Sequence, residues 1–277
     1  MHFLKSSLSF AWLEFKALKF YPSNLILSII QSFVTTGIWF FVSLFLKDYA
    51  KNTLKGFGGD FVAYMVIGVI FFQNAGNILT LPFQSLSTAY WDKRLEVYNS
   101  SSYGIWAFIS GRFIWCFLYN LIIQFSVMLV AIFAVGVKVS KSVPVLPAIT
   151  FYLLFIFTCF GIGLIGASNF FSLEVKQGRE PVTWLTDVLA RIFSGIYYPL
   201  AILPVSIQFI SYLIPHTYAL QSVRLIMISG YGFSYPVVRN DLLIMVLFCL
   251  ASMCSGVYLL DKAIRKAEHS NGVGMVV

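Results

Sequence analysis

Apolar residues gather into long runs separated by short polar intervals, and the length of each run is the first structural signal in this chain. A helix needs about 20 mostly apolar residues to cross the hydrocarbon core of a bilayer. Runs of that order predict spans at about 24 to 46, 60 to 82, 105 to 136, 147 to 171, 183 to 203 and 239 to 260. The third run is long, and Arg112 near its start predicts that its first turns stand outside the membrane. Residues 3 to 20 differ in pattern. Lys5, Ser9, Trp12, Lys16 and Lys19 recur at i, i+4, i+7, i+11 and i+14, leaving Phe3, Leu4, Leu8, Phe10, Phe15 and Leu18 around the rest. This predicts an amphipathic helix in the membrane interface, although the same charges would also suit the foot of the first span.

The stretch from Gly195 to Arg224 is apolar enough for a membrane, yet Pro199, Pro204 and Pro215 divide it into pieces too short to cross one. Two short helices within 205 to 229, Val205 to Ile214 and Tyr218 to Ser229, are expected to enter and leave on the same side. Charge supports that placement, because Lys and Arg accumulate in the inner segments of membrane proteins. With the N-terminus inside, the inner side holds Lys5, Lys16, Lys19, Lys93, Arg94, Lys176, Arg179, Lys262, Arg265 and Lys266. The outer side then holds Lys47, Lys51, Lys55, Lys138, Lys141, Arg224 and Arg239. A seventh crossing at 205 to 229 would carry the basic tail from Asp261 to Lys266 outside. The expected fold is therefore an all-α polytopic membrane protein: one domain, an N-terminal interfacial helix, six spans, and two re-entrant helices between the fifth and sixth. Both termini are expected in the cytoplasm.

Composition agrees: 59% of residues are hydrophobic and 11% charged, less than half of the charge, about 25%, that a soluble domain carries. The excess of 19 Lys and Arg over 11 Asp and Glu is scattered between apolar runs, which fits topology and anionic lipid rather than nucleic acid. Cys116, Cys159, Cys249 and Cys254 fall in apolar runs without CxxC spacing, and His2, His216 and His269 are far apart, so no metal site is expected. No cleavable signal is expected, since Lys5, Glu14, Lys16 and Lys19 interrupt the N-terminal stretch. Gly161, Gly163, Gly166 and Ala167 form a small-residue strip that would let another helix approach.

Nothing here predicts an enzyme. A GxxxxGK[ST] sequence is absent, and Gly56, Gly58 and Gly59 lead into Asp60 instead of the Lys of a phosphate cradle. ATP, if used, must be hydrolysed by another chain. Leu86 to Arg112 and Glu174 to Glu180 are polar enough either to present a face to a soluble partner or to serve as plain connections. Asp187 and Arg191, at i and i+4 in the fifth span, are candidate pathway residues, with snorkelling to the interface open for Asp187. A gradient-driven carrier would want midplane carboxylates, for which Asp187 is the candidate.

These residues resemble the permease subunits of ABC-2 type (type V) exporters, of the drug and lipid group. Gly195, Tyr198, Pro199, Leu200, Leu203 and Pro204, then Pro215, Thr217, Tyr218 and Arg224, are similar to a pattern G-x-x-[FY]-P-L-x-x-L-P followed by N-P-[LH]-T-Y and a downstream Arg; Ile214 stands at the Asn. Leu95 and Glu96 fit a G-T-L-E motif with Lys93 and Arg94 at its Gly-Thr, Gly111 and Arg112 fit a later G-[KR], and Ser102 replaces a Pro. The resemblance implies coupling to ATPase subunits through Lys93, Arg94, Leu95, Glu96, Glu174, Lys176 and Arg179. It implies an outer gate built from Gly195, Tyr198, Pro199, Pro204, Pro215, Tyr218 and Arg224. It also implies a second permease copy or paralogue, ATP and Mg²⁺ held by the ATPase partner, and a prokaryotic plasma membrane. An amphipathic or hydrophobic substrate, drug or lipid-like, is expected to leave the cell; a polysaccharide or lipid-linked glycan is the alternative.

Overall fold

The computed structural model describes residues 2–50, 60–100, 103–133 and 136–270. Lys51, Lys55, Gly56, Gly58, Gly59 and Ser102 lie outside them. Ten α-helices follow in order among the described residues: α1 (His2–Phe20), α2 (Pro22–Ala50), α3 (Phe61–Trp91), α4 (Leu95–Asn99), α5 (Gly104–Phe133), α6 (Val145–Ser172), α7 (Pro181–Phe193), α8 (Val205–Tyr212), α9 (Pro215–Ser229) and α10 (Pro236–Ser270). The described residues contain no strand. The all-α polytopic fold is as expected.

Five helices, α2, α3, α5, α6 and α10, are long and apolar enough to cross a membrane. The expected fifth span differs: α7 has 13 residues, about 20 Å at 1.5 Å per residue, short of the roughly 30 Å of a bilayer core. A turn and a short 3-10 helix at Leu200–Ile202 follow it. The chain nevertheless travels, since Glu180 lies against Gly166 of α6 while the Ile196 carbonyl lies against Gly68 of α3. Proline explains the difference. Pro199, Pro204 and Pro215 each stand at or next to the first position of a helical piece, where a missing N–H costs nothing, so the segment restarts repeatedly instead of running on.

The bundle is centred on α3, whose buried residues run from Phe61 to Ala89. Phe151, Phe155 and Phe170 of α6 and Ala219, Val223 and Ile226 of α9 complete the main core with it. The small-residue strip of α6 meets three different helices. Gly161 faces the α10 backbone at Ser252 and Met253, Gly163 faces Leu79 and Pro82 of α3, and Gly166 faces Glu180 and Thr183 at α7. It therefore packs this chain internally, because absent side chains let helix backbones approach.

α1 lies across the first turns of α5. Its packed face is Ser7, Phe10 and Ala11, seated where Gly111 leaves room, and Arg112 pairs with Glu14 at 2.5 Å. Phe10 also meets Tyr98 of α4 and Phe108 of α5 edge-on. Leu4, Leu8, Trp12 and Leu13 stay exposed beside Lys5, Lys16 and Lys19, the amphipathic surface expected of an interfacial helix. α2 touches the bundle along one stripe, Leu25, Ile29, Phe33 and Phe40. Ile26, Ile30, Val34, Ile38, Phe41 and Phe45 face away.

Replacing Gly161 by Val should separate α10 from α6, because a Cβ there would sit 2.6 Å from the Ser252 carbonyl carbon. The expected loss is about 1–3 kcal/mol, read as a lower melting temperature in detergent. Gly37→Val, where nothing lies within 4 Å, should leave it unchanged.

Candidate functional site

Three groups of residues occupy three levels of the bundle. At the α1 end, α4 and the α6–α7 connection lie beside the last turns of α3. The Lys176 carbonyl accepts from Ser87 Oγ at 2.7 Å and from Trp91 Nε1 at 3.2 Å. Its ammonium folds inward, donating to the Phe170 carbonyl at 3.0 Å and resting 4.3 Å from the Phe170 ring centroid. Burial there pushes the Lys176 amine below its ordinary value. Leu95 is 1% exposed and fixes α4 to the core, so Lys93, Arg94 and Glu96 are the exposed members of their segment. Lys93 and Glu174 adopt φ of +59° and +53°. The left-handed conformation at Lys93 is one a glycine adopts without strain, which accounts physically for the Gly at that place in the similar motif. Glu174 and Arg179 are exposed.

At the opposite end the residues of the Gly195-to-Arg224 motif close around Arg224, which is 2% exposed. Its Nε donates to the Tyr64 carbonyl at 3.0 Å, Nη1 to the Gly195 carbonyl at 2.8 Å and Nη2 to the Ile196 carbonyl at 2.8 Å. The guanidinium also lies 3.5 Å from the Tyr64 ring centroid, a cation–π contact. Gly68 makes the space, since a Cβ there would collide with Nη2, and Gly195 takes φ +73°. Tyr64 OH returns to the Gly195 carbonyl at 3.1 Å, and Tyr198 OH bonds the Ile192 carbonyl. Ile214 gives α9 no side-chain cap; Pro215 at its first turn needs no acceptor, and Thr217 Oγ1 bonds the Ser211 carbonyl at 2.6 Å. Tyr218 OH bonds the Tyr212 carbonyl at 2.9 Å.

The hairpin of α8 and α9 dips into the bundle. His216 at its tip packs against Phe72 of α3 and Phe155 of α6. Both rings lie about 15 Å along their helices, counted from Phe61 and Val145.

Between these levels a groove of about 620 Å³ runs from Arg179 to Trp39 and Tyr197. Asp187 and Arg191 line it, joined by two hydrogen bonds of 2.9 and 3.1 Å, and Arg191 lies 4.8 Å from the Phe72 ring centroid. The rest of the polar wall comes from α2 (Ser28, Gln31, Ser32, Thr35) and α3 (Gln73, Asn77, Thr80, Gln84). Sequence reasoning did not pick these out. Their spacing of three or four residues within apolar runs is the signal that would have found them. It also passed over Asp241 in the sixth span, 5% exposed and bonded by Ser222 Oγ of α9 at 2.7 Å, and Glu180 as a buried cap of α7.

The described residues form a polytopic helix bundle with a polar groove along one side of α3. The chain matches the family described as ABC-2 type transporter over residues 8–228, and it belongs to that family. Its members are membrane subunits of ABC transporters that work with ATPase subunits. No curated protein matches the chain.

Arg224→Lys would keep the charge and forgo two of three charge-assisted bonds, each worth about 1.5–3 kcal/mol. The variant should melt several degrees lower and expose the 195–214 segment to limited proteolysis, whereas Arg179→Lys should do neither.

Proposed function

We propose that the chain is the permease of an exporter that moves an amphipathic, lipid-like or drug-like molecule out of the cell, driven by ATP hydrolysis in a separate subunit. The observation that carries this reading is the groove: its inner wall is polar, while the exposed side of α2 beside it is apolar. A molecule with a polar head and an apolar tail matches both surfaces at once, which neither a salt nor a pure hydrocarbon does. The groove is open along one side and α2 is packed on one stripe alone, which suits completion by a second permease copy or paralogue. The cell membrane would be prokaryotic, the α1 end cytoplasmic, and the hairpin of α8 and α9 an outer gate crossed after the groove. In this placement Pro181 to Leu203 counts as the fifth of six crossings, made in pieces.

Coupling would come from the α1 end. Lys93, Arg94 and Glu96, with Glu174 and Arg179, offer exposed charges to an ATPase subunit, while Leu95 and Lys176 hold those segments in place. ATP and Mg²⁺ would bind the partner, and this chain would perform no bond chemistry. A lipid-linked glycan is the second reading, favoured by the aromatic rings of Trp39, Phe72, Tyr119 and Tyr197 interleaved with amides.

Co-expression with its P-loop ATPase should yield a stable complex, weakened by a combined Lys93→Glu and Glu96→Lys exchange; export by the chain alone would overturn the ATP-driven reading. In vesicles of the complex, Arg191→Leu should slow ATP-dependent efflux of a fluorescent phospholipid at least tenfold at unchanged melting temperature. If a lipid-linked oligosaccharide is moved and the phospholipid is not, the glycan reading replaces the first.

A further inference from the structure

Asp187 and Arg191 give the groove a polarity with a direction. The pair lines the open space, its side chains 24% and 49% exposed. Two N–H groups of the guanidinium reach the carboxylate and another faces Tyr197 OH at 3.4 Å, which leaves donors over. Each Asp187 oxygen accepts one of those bonds and has a lone pair to spare. The other two charges of the groove are placed differently. Glu180 is 1% exposed and already bonded by Val182, Thr183 and Asn169, while Arg179 stands exposed at the α1 end. The remaining polar lining, such as Gln31, Thr35, Gln73 and Asn77, is uncharged. Further in than Arg179, one acid and one base are therefore the charges that meet an occupant.

Their order matters. α7 begins at the α1 end, so Asp187 precedes Arg191 by about 6 Å along the helix axis. A head group with a single charge finds one attractive and one repulsive partner here, and an uncharged head forms only the weaker, neutral kind of hydrogen bond. A head that carries a phosphate and an ammonium on a short link meets both. The spare guanidinium N–H groups suit the phosphate oxygens, and the carboxylate suits the ammonium. With the α1 end cytoplasmic, a phospholipid of the inner leaflet presents these charges in the same sequence: ammonium outermost, phosphate beneath it, then the tails towards the membrane interior. Pair and lipid point the same way.

We propose that Asp187 and Arg191 together form the head-group subsite of the groove, and that they select zwitterionic phospholipids by the direction of the head-group dipole. The inference rests on the groove being the transport path with the α1 end cytoplasmic. It narrows the amphipathic substrate to a lipid whose phosphate lies next to its tails and whose ammonium is terminal.

The probes are dihexanoylphosphatidylcholine and its inverse, in which the ammonium is next to the glycerol and an ethyl-capped phosphate is outermost. Both are uncharged overall and share their tails, so they differ in dipole direction. Their binding to the complex with its ATPase, purified in an uncharged detergent, should favour the natural order by about tenfold, or 1.4 kcal/mol. The double exchange Asp187→Arg with Arg191→Asp keeps an ion pair at i and i+4, in the less favourable order, and should reverse the preference. Asp187→Asn with Arg191→Gln should abolish it. Equal affinities in the wild-type complex, a preference for the inverse lipid, or a preference that survives the double exchange overturns the subsite. The groove is checked separately by Gly76→Trp. Gly76 lines the groove, and an added Cβ there has nothing within 4 Å, so the indole would fill the space and should weaken both lipids alike. If it does so while the wild-type complex binds the two lipids equally, the groove reading stands without the subsite. If both lipids bind Gly76→Trp as tightly as the wild type, the groove reading falls and takes the subsite with it.

Discussion

The bonding of Arg224 is the constraint on which the rest of the structure depends. Two difficulties meet at one place. The chain after α7 leaves helical geometry within the bundle, so the Gly195 and Ile196 carbonyls lose their intrahelical donors, and unsatisfied backbone at that depth costs several kcal/mol per group. A buried guanidinium needs acceptors for N–H groups that it cannot shed. Arg224 brings donors to the carbonyls, and the carbonyls with the Tyr64 ring surround the charge. Each solves the other's problem. Gly68 is the geometric condition, since any side chain there would occupy the guanidinium's position.

A counterpart holds the other end of α7. Glu180 is 1% exposed, accepts from the backbone N–H of Val182 at 2.9 Å and of Thr183, and takes a third bond from Asn169 at 3.0 Å. Here an anion meets the free N–H groups of a helix start, where the helix dipole favours it. α7 is thus hung between a buried carboxylate and a buried guanidinium, both satisfied chiefly by backbone. This is why 13 residues suffice. A helix anchored at both ends needs no apolar run of full length, and Asp187 with Arg191 stand on its side towards the groove.

The parts legible in the sequence were those that depend on local rules. Run length pointed to the five long helices, two of which, α3 and α10, run about ten residues past the expected ends, and the proline spacing pointed to the hairpin, because proline acts on its own few residues. Arg224 and Gly195 were recognisable by motif, but their bonds to each other and to Tyr64 join residues far apart in sequence. The groove was hidden for a related reason. Ser28, Gln31, Ser32 and Thr35 are diluted within an apolar run, and which face of α2 they occupy means something only once α3 and α7 stand opposite. Gly111 reads as half of a short motif until α1 is seen resting on it. Asp241 looks like a residue at a span boundary until Ser222 of α9 reaches it.

The same contacts suggest how the two ends communicate. α3 touches every group: its last turns bind the Lys176 carbonyl, its middle lines the groove, and its first turns hold Arg224. Pro82 lies inside it, a position where a helix can bend, but Gly163 of α6 packs against that turn and supports it. A helix so supported resists bending at that turn. Any force applied to α4 or the α6–α7 connection would reach Tyr64 and Gly68 as a displacement of the whole of α3. There the guanidinium has three acceptors on two separate segments. A shift that lengthens the bond to Tyr64 weakens the grip on the hairpin, while the Gly195 and Ile196 carbonyls keep the charge satisfied. Because the charge is shared among three carbonyls and not committed to one carboxylate, the loss of any one bond would leave the cation two others.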